Sequence, residues 1–142
     1  MNTQNYESAN RQDTPHVRVY LVEDSPEIRD LIVDEVNAIP GVAITGYADT
    51  ELEALKDLSE QSFDVIIFDL QLRQGNSLSL LRSLGSRGCQ RDALKFVFTS
   101  HVSRTYHRLC EQLGVRRVFD KSSEFVQLCG AMRAVASKGP TH

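Results

Sequence analysis

The sequence has little that would take it beyond the ordinary globular class. No apolar run approaches the ~18–20 residues needed to span a bilayer. The opening stretch MNTQNYESANRQDTPH has no apolar core of the kind a secretory signal carries. Positive charge is not in excess: 16 Lys and Arg stand against 19 Asp and Glu, a formal charge of −3. That balance gives no electrostatic reason to expect nucleic acid or an anionic membrane as partner. Cysteine is scarce, with three residues (Cys89, Cys110 and Cys129) that are odd in number, far apart and free of any C-x-x-C spacing. That pattern suits a reducing cytosol better than a disulfide or zinc framework, with core or near-surface thiols.

What is present is one domain's worth of chain. At 142 residues, 41% hydrophobic and 25% charged, a compact fold buries about 70% of the surface its unfolded chain exposes. Residues 1–15 read as a mobile polar leader, residues 16–137 as the domain and residues 138–142 as a short tail, too short for a second domain. No internal repeat is visible.

Apolar runs alternate with helical patterns. Val17 to Val22 predicts a strand, and Ser25 before Pro26 predicts a capped helix through Ile28, Leu31, Ile32 and Val36, stopped at Pro40-Gly41. A weaker alternating strand follows from Val42 to Tyr47. Thr50-Glu51-Leu52-Glu53 then offers a capping box for a helix on Leu52, Leu55 and Leu58. Val65 to Phe68 is the third strand. Leu78, Leu80, Leu81 and Leu84 mark a helix with Gly85 and Gly88 beyond it. Lys95 to Phe98 is the fourth strand, and Val102, Tyr106, Leu109, Cys110 and Leu113 line the fourth helix. Val118 and Phe119 make a short fifth strand. Ser122 or Ser123 caps the last helix, through Phe125, Leu128, Met132 and Val135. Such βα alternation implies a parallel sheet with helices on both faces, and ligands of such sheets bind beyond the strands' carboxyl ends.

Those ends carry the polar groups. The first strand stops on Glu23-Asp24, the third on Asp69, the fourth on Thr99-Ser100, and the fifth leads to Lys121. Gathered at one sheet edge, three carboxylates repel one another, and uncompensated they would be pushed toward higher pKa. A hard divalent cation compensates them. Mg²⁺ takes oxygen ligands, usually one or two carboxylates plus a phosphate. A phosphoryl group would then lie between metal, Lys121 and the hydroxyl, as charge stabilisation in phosphoryl transfer requires. Asp69, alone at the end of the most buried strand, is the nucleophile candidate.

The segments VYLVEDSPEIRDLI, DVIIFDLQL, FVFTS and VFDKS resemble the receiver domain of bacterial two-component response regulators, over roughly residues 16 to 137. The resemblance implies a doubly wound, flavodoxin-like α/β fold of five parallel strands in the order 2-1-3-4-5. It implies that Asp69 accepts a phosphoryl group from a phosphohistidine on a sensor histidine kinase or phosphotransfer protein, with slow self-dephosphorylation and no other catalysis. Glu23, Asp24, Asp69 and the backbone carbonyl of Gln71 would bind Mg²⁺, while Thr99 and Lys121 would hold the phosphoryl oxygens.

The chain departs from the family pattern at several points. Val118 stands where receivers commonly carry an aromatic switch residue, with Phe119 beside it. Ser122 and Arg73 stand where prolines are common, and a cis Lys121–Ser122 bond would carry several kcal/mol of intrinsic cost. Gln71 and His101 occupy the positions that tune phosphoryl lifetime in this family. Arg104, Arg108, Arg116 and Arg117 cluster around the fourth helix, on the family's partner-binding side or simply as a solvated basic face. His101 and His107 lack a third ligand and read as surface histidines. The expected role is a stand-alone cytoplasmic phosphoacceptor that switches binding to another protein or a second copy of itself, without direct DNA binding. The rival, given weight by Val118, is an interaction module that keeps the fold but needs no phosphate. A flavin or nucleotide binder is disfavoured because Glu23-Asp24 would repel a phosphate where such proteins cradle one.

Overall fold

The structure, a computed structural model, describes residues 16–138. Five strands alternate with five helices: β1 Val17–Val22, α1 Pro26–Asn37, β2 Val42–Ala48, α2 Glu51–Glu60, β3 Val65–Phe68, α3 Ser77–Arg87, β4 Leu94–Thr99, α4 Arg104–Gln112, β5 Arg117–Asp120 and α5 Phe125–Lys138. The strands form one parallel sheet in the order β2-β1-β3-β4-β5, the flavodoxin-like arrangement. The expected leader lies outside the described residues. Of the expected tail only Lys138 falls among the described residues, as the last residue of α5.

Period-two alternation sorts the strand side chains into two cores. Val17, Val19 and Leu21 of β1 join Ile67, Phe96, Phe98 and Phe119 beneath Ile32 and Val36 of α1 and Leu128 and Met132 of α5. On the opposite face Tyr20, Val22, Ile66, Phe68 and Val97 pack under Ala54 and Leu58 of α2, Leu80 and Leu84 of α3, and Cys110 of α4. β3 is buried at every position, as a central strand covered on both faces should be. At roughly 1.5–3 kcal/mol for each fully buried large aliphatic or aromatic side chain, it anchors the sheet and fixes where Asp69 emerges.

Local signals hold at most helix starts. Ser25, Thr50, Asn76 and Ser103 each accept a backbone N–H in the first turn of α1, α2, α3 and α4, satisfying donors that the helix itself leaves unpaired. Three expectations need correction. Gly85 lies inside α3, which stops instead at Gly88, in the left-handed region at φ 69°. In the fourth helical segment, Val102 precedes α4 and is exposed, as is Tyr106, and Cys110 is the helix's one fully buried residue. A nine-residue helix on the sheet's flank covers the core with Cys110 and, at its C-cap, Leu113, and leaves most of its apolar stripe in solvent. Neither Ser122 nor Ser123 caps α5. The Asp120 carboxylate takes both the N–H (2.9 Å) and the hydroxyl (2.7 Å) of Ser122. Glu124 stands before the helix, accepting Leu128 N–H on its carbonyl at 3.0 Å and Asp120 N–H on its carboxylate at 2.9 Å.

Candidate functional site

Because the strands are parallel, their carboxyl ends share one edge, and backbone bonds tie the segments leaving it. Glu23 N–H donates to Ala48 C=O at 3.0 Å, Asp69 N–H to Val22 C=O at 2.9 Å, and Lys121 N–H to Thr99 C=O at 3.0 Å. The polar groups at the ends of β1, β3, β4 and β5 are thus held by the sheet ladder extended one residue past its last strand pairs.

Glu23, Asp24 and Asp69 each present a carboxylate oxygen within 4.8 Å of the others. Into this cluster comes Lys121, whose Nζ lies 2.8 Å from Asp69 Oδ2 and 2.9 Å from Glu23 Oε1. Burial makes these contacts consequential: Glu23 is 1% and Asp69 7% exposed, and the Lys121 side chain 15%. Burial, then the neighbouring Asp69 charge, push the Glu23 carboxyl above its ordinary range, against the pull of Lys121 and the Ser25 N–H. For Lys121 burial disfavours the ammonium, but hydrogen bonds and charge from Asp69 and Glu23 outweigh it and hold the pKa above the usual lysine value.

The carboxylate oxygens are unequally engaged. Glu23 Oε2 also accepts Ser25 N–H at 3.1 Å, so both its oxygens are used. Among the described residues Asp69 Oδ1 and the Asp24 carboxylate take no such bond, and they form an oxygen-only donor set of the type a hard divalent cation prefers.

The other expected residues sit at varying distance from this centre. Thr99 ends β4 and is fully buried; its hydroxyl accepts His101 N–H at 3.2 Å, leaving its proton for another acceptor. Gln71 is exposed, two residues past Asp69, and its backbone bridges Asn76. Val118 is half-buried beside the α4 core, whereas Phe119 points to the opposite core and meets Phe96 edge-on at 5.8 Å. Phe119 therefore cannot take the place of the missing switch ring. The Lys121–Ser122 peptide is trans. His101 and His107 join no cluster of potential metal ligands among the described residues, and Arg104, Arg108, Arg116 and Arg117 are all exposed.

One residue that the sequence reading passed over is Ser77. It is fully buried, its N–H donates to Leu70 C=O at 2.9 Å and its hydroxyl donates to the carbonyl of Asp69. Nothing in sequence separates it from the other serines of SLSLLRS. Ser77→Ala strands a buried carbonyl and is expected to lower stability by about 1–2 kcal/mol, read from the urea midpoint at constant m-value.

Comparison with known proteins places the fold. The sequence model of the response regulator receiver domain matches residues 19–133. A protein-glutamate methylesterase/protein-glutamine glutaminase from Anaeromyxobacter dehalogenans is 28% identical over 87% of this chain and 36% of its own length. The DNA-binding transcriptional activator DevR/DosR of Mycobacterium tuberculosis is 33% identical over 61% of this chain and 39% of its own. The chain thus spans little more than a third of the length of these relatives. Among solved structures, the signal receiver domain of NarL from M. tuberculosis aligns with a TM-score of 0.75 at 20% identity, over 87% of this chain and 98% of that one. The receiver domain of a sensor histidine kinase from Pseudomonas aeruginosa, solved with magnesium coordinated in its active-site cleft, aligns at 0.72 and 19%, over 85% and 98%. The fold, the edge at which its acidic groups gather and the family match agree: this chain belongs to the response regulator receiver domain family.

Proposed function

We propose that this chain is a phosphoacceptor switch in two-component signalling, with Asp69 as the residue that carries the phosphoryl group. The observation that carries the reading is the seat of Lys121, 2.8 Å from Asp69 and 2.9 Å from Glu23. An ammonium so placed can neutralise charge on a phosphoryl group attached to Asp69, and by engaging Oδ2 it leaves Oδ1 as the attacking oxygen. In the transfer Asp69 Oδ1 forms a bond to phosphorus while the bond from phosphorus to the donor's imidazole nitrogen breaks, the electron pair leaving with that nitrogen. Thr99 donates a hydrogen bond from its hydroxyl to one phosphoryl oxygen and Lys121 pairs with another.

Glu23, Asp24, Asp69 and the Gln71 carbonyl would hold Mg²⁺. When bound, the ion would screen the carboxylates and draw charge from the phosphoryl oxygens. Residues 16–137 would act as the phosphoacceptor unit, taking phosphate from a histidine kinase or phosphotransfer protein in the cytoplasm. Output would pass to a protein partner or to a second copy of the chain rather than directly to DNA, and the only chemistry would be the chain's own phosphorylation and slow dephosphorylation. No helix among the described residues is long and apolar enough to cross a membrane.

Incubation with Mg²⁺ and a small phosphodonor should add one phosphoryl mass to the intact protein, lost on mild alkali as an acyl phosphate is. Failure of every donor and kinase to add it would favour the second reading, an interaction module independent of phosphate. What supports that module is Val118 at the switch position with Phe119 committed to the opposite core. Mg²⁺ at tenfold its dissociation constant should add about 1.4 kcal/mol of stability. Asp24→Asn, which removes one of the unengaged carboxylates, should shrink that gain in a thermal melt.

A further inference from the structure

Residues 48–51, where β2 gives way to α2, lie between the two loops that carry the proposed metal ligands and are bonded to both. On one side Ala48 C=O accepts the N–H of Glu23 at 3.0 Å. On the other, Glu51 N–H donates to Gln74 C=O at 3.1 Å and Glu51 Oε1 accepts Asn76 N–H at 3.1 Å. Thr50 bridges Gln74, and Arg73 Nη2 lies 3.0 Å from Asp49 Oδ2. Gly75 closes the contact: its φ is +86°, and a Cβ there would stand 2.4 Å from both Cβ and Oε1 of Glu51. Only glycine satisfies the backbone conformation and the close approach together. The clamped loop is itself tied to the site, because Asn76 bridges Gln71 and Ser77 bonds both Leu70 and Asp69.

From this juxtaposition we infer that Glu51 is a positioning residue: its carboxylate, through Asn76, holds residues 71–76 so that the Gln71 carbonyl is ordered before any cation arrives. The inference rests on the metal reading given above. Its physical content is preorganisation. A loop that must be ordered on binding loses backbone entropy at that moment, whereas a clamped loop has lost it during folding. The bland role for Glu51 is an acidic residue in the first turn of α2, favourable to the helix dipole. That role accounts for its charge but not for Oε1 being aimed at a backbone N–H of another loop. Glu53, in the same turn, supplies equal charge without the contact and serves as the control.

Amide hydrogen exchange on the metal-free protein and Mg²⁺ titration calorimetry test this together. Glu51→Ala should speed exchange across residues 71–76 and weaken Mg²⁺ binding by about two- to tenfold, the range one net hydrogen bond supplies. Glu51→Gln keeps an acceptor oxygen and should stay near wild type in both readouts, as should Glu53→Gln. Unchanged loop exchange in Glu51→Ala, or equal damage from Glu51→Gln, overturns the clamp. If wild type itself binds no Mg²⁺, the metal reading falls and the inference with it. If wild type binds and Glu51→Ala binds equally well, the clamp alone falls.

Discussion

Replacing Lys121 by methionine should destabilise the metal-free protein by about 3 kcal/mol, the low end of the cost of removing one partner from a buried ion pair. Methionine keeps the volume of the aliphatic stem, so the loss reports charge rather than a cavity. What remains is Glu23, 1% exposed, facing Asp69, 7% exposed, with no ammonium between them. The low end applies because Lys121 itself retains 15% exposure and because Glu23 can take up a proton. Mg²⁺ should recover more stability in Lys121→Met than it adds to wild type, since the carboxylates then lack any other cation. Urea unfolding with and without MgCl₂ measures both quantities.

The same variant carries a pH signature. In wild type, Lys121 and the Ser25 N–H pull against burial and the Asp69 charge, and the Glu23 carboxyl still stands above its ordinary range. Without Lys121 it rises further. A carboxyl with a higher pKa folded than unfolded binds more protons in the folded state, so stability falls as pH rises from the unfolded glutamate value, about 4.3, through the folded one. The deficit of Lys121→Met against wild type should therefore shrink on acidification toward about pH 5. A deficit independent of pH would mean that Glu23 does not bear the lost compensation.

How far the fold was legible follows from which signals are local. β3 is a continuous apolar run, and β1 and β4 are apolar apart from Arg18, Lys95 and the terminal Thr99; burial on both faces leaves such runs no other stable use. Their bounds in the structure match the sequence reading to within a residue, as Lys95–Phe98 against Leu94–Thr99 illustrates. The failures occur where a local signal meets a tertiary competitor. Ser122 has the right residue type to cap α5 but stands two residues before Glu124, and the Asp120 carboxylate, two residues earlier in the chain, captures its hydroxyl and N–H. Val102 and Tyr106 fit helical periodicity, yet α4 lies at the flank of the sheet where only part of an apolar stripe finds cover.

The candidate site divides the same way. Glu23, Asp24, Asp69, Thr99 and Lys121 were legible because each interrupts or ends an apolar run, and a polar residue there is conspicuous in a one-dimensional pattern. Ser77, Glu51 and Gly75 were not, because their part depends on pairs 8 to 25 residues apart that meet only once α2 and α3 stand side by side. Serine at a helix start and glutamate in a first turn are what any helix carries. The likeness of Ser77 to an ordinary cap residue hid a bond to the backbone of the proposed phosphoacceptor.

Asp69→Asn should have the opposite sign in stability and a total effect on chemistry. Asparagine is nearly isosteric, but its amide is no nucleophile toward phosphorus, so no phosphoryl mass should appear where wild type saturates. On the folding side, the change removes the charge that helps push Glu23 upward and leaves Lys121 and Glu23 as a one-to-one pair at 2.9 Å. Relief of like-charge crowding offsets the lost 2.8 Å contact, and the net should lie between neutral and about 1 kcal/mol stabilising in the metal-free state. Two partners of one contact thus give opposite outcomes: losing the cation leaves an uncompensated buried cluster, and losing the nucleophile relaxes it. That asymmetry distinguishes a site in which Asp69 is kept for its reaction from a structural ion pair, where removing either partner costs stability. A loss of several kcal/mol in Asp69→Asn, measured beside Lys121→Met in the same buffer, would assign Asp69 to the framework and remove it as the phosphoacceptor's best claim.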